Sequence, residues 1–102
     1  MEINKLQNTL CNGNNPYVDI SKPNAVLLHY VEEVGELLRA VRKGDQKQID
    51  EELGDNLIML CFVAGSLHTN LERTTLAKID KNIREGKFFL MDPIEDKNKS
   101  KL

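Results

Sequence analysis

The sequence predicts an all-α domain of four helices. Apolar residues recur at three- and four-residue spacing in four separate stretches, and Gly, Asn and Pro gather between them. The composition, 40% hydrophobic and 29% charged with three prolines and no tryptophan, is ordinary for a mainly helical chain. At 102 residues a single domain is expected, small enough for a second copy to add much of its stability. We assign it to residues 1–90 and leave 91–102 as a charged, Pro-interrupted tail without structure.

The first helix is expected over residues 2–11, where Ile3, Leu6 and Leu10 share a face and Gly13 follows as terminator. Asn12-Gly13-Asn14-Asn15-Pro16 is a dense turn signal, and Pro23 suits the first turn of a second helix, with Asp19 or Ser21 as its cap. That second helix should run to Lys43. Leu27, Tyr30, Val31, Val34, Leu38 and Val41 form one apolar stripe, its expected core face. Glu33 and Glu36 fall together beside the stripe with His29 on their side, whereas Glu32 points toward Arg39.

Gly44-Asp45 ends the second helix and caps a third, expected over Gln46–His68. Its latter half, Leu57 to Ala64, is apolar all round and should be buried on every side, as at a subunit interface. Glu52, Asp55, Asn56 and Met59 share one face where that half begins. Gly35 and Gly54 sit mid-helix at a cost of about 1 kcal/mol each against alanine, which suggests close helix approach. Asn70 caps a last helix from Leu71 to Glu85, with Leu76, Ile79 and Ile83 inward and a basic polar side carrying Lys78, Lys81, Asn82 and Arg84.

Several functions are disfavoured. A net charge of −2 with no basic stripe leaves no footprint for nucleic acid. Cys11 and Cys61 form no zinc pattern, no apolar run is long enough to span a bilayer, and no secretory signal is present, so the cytoplasm is the default.

What stands out is acid. Glu32-Glu33-Val34-Gly35-Glu36 and Glu51-Glu52-Leu53-Gly54-Asp55 repeat one pattern on two successive helices joined by a tight turn. Either these carboxylates face water separately, helped by Arg39, Arg42, Lys43 and Lys47, or a cation sits between them. Glu33, Glu36, Glu52 and Asp55 together would make an all-oxygen site for a hard cation, Mg²⁺ or Mn²⁺ before Zn²⁺. The Glu-x-x-His of a di-iron bundle is missing.

With its flanking text, Glu33-x-x-Glu36 followed by Glu52-x-x-Asp55 resembles the signature of the MazG-like nucleoside triphosphate pyrophosphohydrolases, over roughly residues 23–89. The resemblance implies a four-helix MazG-like bundle assembled as a homodimer or a dimer of dimers. It also implies Mg²⁺-dependent cleavage of a (deoxy)nucleoside triphosphate to monophosphate and pyrophosphate, a house-cleaning reaction of the nucleotide pool. By that resemblance Glu33, Glu36, Glu52 and Asp55 hold Mg²⁺, and Glu32 with Glu33 serves the catalytic water. Lys78, Asn82, Lys81 and Arg84 are the phosphate-binding candidates. Two other classes compete. One is a catalytically weak module that binds nucleotide or metal for regulation, and the other is a helical adaptor whose acids are only a solvated face.

Overall fold

A computed structural model of the protein describes residues 2–87; Met1 and residues 88–102, including the tail assigned to 91–102, lie outside it. Among the described residues every regular element is helical: α1 (Ile3–Cys11), α2 (Pro23–Lys43), α3 (Gln46–Ser66) and α4 (Leu71–Arg84). None of these helices is long and apolar enough to cross a membrane.

The boundaries follow local chemistry. Gly44 ends α2 in the left-handed region at φ 70, where a side chain would be strained, and its N–H donates to the Ala40 and Val41 carbonyls. Asp45 then caps α3, its Oδ1 accepting from the Gln48 N–H at 3.2 Å. Asn70 caps α4 by accepting from the Arg73 N–H at 3.0 Å. The expected cap of α2 is not made. Lys22 occupies the position without a side-chain bond, because Asp19 turns back on its own loop to accept from Ser21. α3 stops two residues short of His68, whose φ of 54 breaks the helix.

α2 and α3 form an antiparallel hairpin, each 21 residues and so about 30 Å long. α1 packs against α3, and α4 rests on α1. The core is Val26, Met59, Phe62 and Val63, closed over by Leu10, Cys11, Val18, Ile20 and Tyr30. The buried Gln7 amide ties α1 to the α3–α4 turn, donating to the Thr69 carbonyl at 2.7 Å and accepting from the Leu71 N–H at 2.9 Å.

Three sequence expectations fail here. Leu27, Val31, Val34, Leu38 and Val41 are not a core face, since each remains 43–57% exposed. α2 instead turns Val26, Glu33, Leu37 and Ala40 inward, and of the expected stripe only Tyr30 packs on the core. The apolar half of α3 is not buried on every side: Met59, Cys61, Phe62, Val63 and Ala64 are buried within this chain, but Ile58 is 38% exposed and Leu57 and Leu60 are only half-buried. Gly35 and Gly54 permit no close approach, since a Cβ at either would meet nothing. The packing glycine is Gly65, where a Cβ would overlap the Cys11 sulfur.

Gly65→Ala should therefore destabilise the protein by roughly 1–3 kcal/mol in urea denaturation, and by less in a Cys11→Ala background where the sulfur is gone. Gly54→Ala should stabilise the isolated chain by up to about 1 kcal/mol through helix propensity. Equal costs at the two glycines would contradict this packing.

Candidate metal centre

The hairpin brings three of the four predicted ligands together. Glu33 from α2 and Glu52 and Asp55 from α3 each offer a carboxylate oxygen, all within 4.8 Å of one another. Glu33 and Glu52 are half-buried at the helix contact, and Asp55 is exposed at its edge. The i, i+3 spacing of Glu52 and Asp55 on α3 projects both acids toward Glu33 of α2, the helix packed antiparallel to it.

Asn56 fixes their register. Its Nδ2 donates to the Glu52 carbonyl at 2.7 Å within α3 and to the Glu33 carbonyl at 3.1 Å across to α2. The sequence placed Asn56 on the acidic face but gave no sign that it bonds backbone on both helices. His29, one turn before Glu33, brings its Nε2 to 3.4 Å from Glu33 Oε1.

The cluster is electrostatically strained. Desolvation, more than anything else, pushes the Glu52 carboxyl above the ordinary Glu range. A hydrogen bond shared with Glu33 and the charges of Glu33, Asp55 and Glu36 push it the same way. Glu52 Oε2 is buried without a hydrogen-bond partner. A buried carboxylate oxygen with no donor, beside two further carboxylates, is an arrangement a cation relieves. The donor set fits a small hard cation: oxygen atoms only, with one side left open by the exposed Asp55.

The other candidates stand apart. Glu36 lies outside the trio and pairs with Arg39, at 2.5 Å, so Arg39 does not serve Glu32 as the sequence suggested. Glu32 is exposed. Lys78, Lys81, Asn82 and Arg84 ride on α4, whose neighbour is α1. The inner side of α4, with Leu71, Leu76 and Ile79, lines a groove with Leu57 and Leu60. Leu57 projects about 160° around α3 from Asp55, so the groove opens away from the acids. Lys81 engages Glu85, just past the end of α4, at 3.9 Å and Arg84 engages Asp80 within α4 at 3.3 Å, and Asn82 Oδ1 is buried without a partner. Burial pushes both the Cys11 and Cys61 thiols up, away from the reactive thiolate.

A family model described as the MazG nucleotide pyrophosphohydrolase domain matches residues 21–87, which include all of α2, α3 and α4. Searches of the curated proteins and of the solved structures found no match.

The sign of the pH dependence follows from Glu52. With its folded-state pKa raised, the contribution from protonated Glu52 is present in acid and lost as pH rises through the raised value. In EDTA, thermal denaturation from about pH 5 to 8 should show the parent losing stability toward the alkaline end and Glu52→Gln losing less. Mg²⁺ at a hundredfold excess over its dissociation constant should add about 2.7 kcal/mol to the parent and less to Glu52→Gln. Equal shifts in the two proteins would remove the case for a metal site.

Proposed function

The chain belongs to the MazG nucleotide pyrophosphohydrolase domain family, and from that premise we propose that it hydrolyses a (deoxy)nucleoside triphosphate between the α and β phosphates, with Mg²⁺, to monophosphate and pyrophosphate. The observation that carries the proposal is the trio of half-buried Glu33 and Glu52 with exposed Asp55, in which Glu52 Oε2 is buried without a donor. A divalent cation held there supplies positive charge against phosphate oxygens and lowers the pKa of an attacking water. Mg²⁺ suits the oxygen donors, with Mn²⁺ as substitute.

Each residue then has a task. Glu33, Glu52 and Asp55 hold the cation, and Glu36 joins as a fourth ligand by rotating away from Arg39. That release is cheap, because an exposed ion pair is worth about 0–1 kcal/mol. Glu32, on the exposed rim one position before Glu33, orients the water together with Glu33. Asn56 acts through the backbone as a positioning residue.

The phosphate-binding cations come from a second copy in this reading. The stripe of Leu27, Val31, Val34, Leu38 and Val41, with Leu53 at 53% exposure on α3, is an exposed apolar helix face that a second copy can cover. Packing two hairpins through it would make a four-helix core, and the proposal assigns phosphate binding to the partner copy's α4, with Lys78, Lys81, Asn82 and Arg84. The reaction belongs in the cytoplasm, with the nucleotide pool as substrate and nucleotide house-cleaning as its role.

One observation favours a binding module without turnover: α4 rests on α1, and its Lys81 and Arg84 pair with Glu85 and Asp80 rather than with the acids of the hairpin. Product analysis separates the two readings. Incubation with each (deoxy)nucleoside triphosphate and Mg²⁺ should give monophosphate and pyrophosphate. Glu33→Gln and Glu52→Gln should each lose more than the roughly 10–100-fold typical of residues behind a metal ligand, and Asn56→Ala should fall within that range. Glu32→Gln should lower kcat with little change in KM. Val31→Glu with Leu38→Glu should convert a dimer to monomer in light scattering and abolish turnover. Turnover by the monomeric variant would overturn the composite site, and diphosphate plus phosphate as products would overturn the reaction.

A further inference from the structure

We propose that His29 is a nitrogen ligand of the carboxylate centre, and that it raises the site's affinity for borderline first-row cations such as Co²⁺ above what oxygen donors alone give. The inference rests on the triphosphate-hydrolase reading above and names the class of cation that its metal centre accepts besides Mg²⁺.

His29 and Glu33 stand at i and i+4 on α2, so their side chains leave the same flank of the helix. That spacing lets two side chains clasp one metal ion, as the paired histidines of His-Glu-x-x-His helices do. Nε2 of His29 lies 3.4 Å from Glu33 Oε1. Two donors at right angles around one cation, each bonded at about 2.1 Å, are about 3 Å apart, so the pair is near the separation that a shared cation requires. It is longer than the roughly 2.7–2.9 Å of a charge-assisted hydrogen bond. The contact is thus better placed for sharing an ion than for bonding directly.

The centre is also short of donors. Glu33, Glu52 and Asp55 supply three oxygens within 4.8 Å of one another, and Glu36 is engaged by Arg39. Cations of this size take four to six ligands. His29 offers one without releasing Glu36 from Arg39. Its side chain is 40% exposed and that of Glu33 20%, so the imidazole can turn toward an ion without disturbing the core.

The donor atom decides the selectivity. Carboxylate oxygens suit Mg²⁺ and Mn²⁺, whereas an imidazole nitrogen suits the later first-row ions and does little for Mg²⁺. A set of three carboxylates and one imidazole therefore serves two classes of cation. The sequence holds no Glu-x-x-His, but His29-x-x-x-Glu33 puts the histidine before the acid, where helical spacing serves equally well.

The test is metal binding by the full chain without nucleotide, in the parent, His29→Ala and His29→Gln, with Mn²⁺, Co²⁺ and Mg²⁺. Pulsed electron paramagnetic resonance of bound Mn²⁺ should show coupling to a directly bonded imidazole nitrogen in the parent and none in either variant. His29→Ala should bind Co²⁺ roughly 10–100-fold more weakly and Mg²⁺ nearly as before, so the ratio of the two affinities falls. His29→Gln keeps a polar contact to Glu33 but loses the nitrogen donor, and it should behave like His29→Ala. Full recovery of Co²⁺ affinity by Gln would mean that His29 only orients Glu33, and would overturn the ligand. Bound Mn²⁺ without nitrogen coupling, or an unchanged Co²⁺ to Mg²⁺ ratio in His29→Ala, would also overturn it and leave the hydrolase reading intact. Nitrogen coupling lost in both variants, in a parent that releases no pyrophosphate from any triphosphate, would keep the ligand and sink the hydrolase. A parent that binds none of the three cations overturns the ligand together with the centre.

Discussion

The candidate site depends on the register between α2 and α3. The Asn56 amide reaches the carbonyls of Glu52 and Glu33 at 2.7 and 3.1 Å, so one side chain ties both helices at the level of the acids. A slip of one residue on either helix would turn an acid about 100° away from its partners. Left alone, the three carboxylates repel across the joint, and the raised Glu52 pKa is that repulsion added to desolvation. The hairpin tolerates them because Val26, Met59, Phe62 and Val63 pack behind them. Stability elsewhere in the fold thus holds in place a cluster that is unfavourable without a cation.

Much of the architecture was legible in the sequence, for local reasons. Gly44-Asp45 and Asn70 mark helix ends through φ and capping bonds that involve only neighbouring residues, and the structure uses them as expected. Helical spacing brought Glu33, Glu52 and Asp55 to adjoining faces, where the structure has them within 4.8 Å.

What was not legible required knowledge of partners. α2 is apolar along two lines, one through Leu27, Val31, Val34, Leu38 and Val41 and one through Val26, Leu37 and Ala40. Periodicity registers the larger residues and so favours the first line, but small Ala40 permits close contact with α3 and the second line packs inside the chain. Mid-helix glycine was read the same way: Gly35 and Gly54 cost propensity without touching anything, and Gly65 is the one pressed against Cys11. Arg39 pairs with Glu36, three residues before it, and not with Glu32, seven residues and about 10 Å along the axis away. The basic residues of α4 look complementary to the acids in composition, yet α4 rests on α1.

The most direct measurement is a Mn²⁺ titration followed by electron paramagnetic resonance, in which the free ion gives a signal that carboxylate ligation suppresses. The parent should remove Mn²⁺ from solution at fixed stoichiometry, Mg²⁺ should return it, and Glu33→Gln and Glu52→Gln should each bind it far more weakly. Mn²⁺ that stays free with the parent, or is bound equally by all three proteins, would mean that the three carboxylates do not form a metal centre.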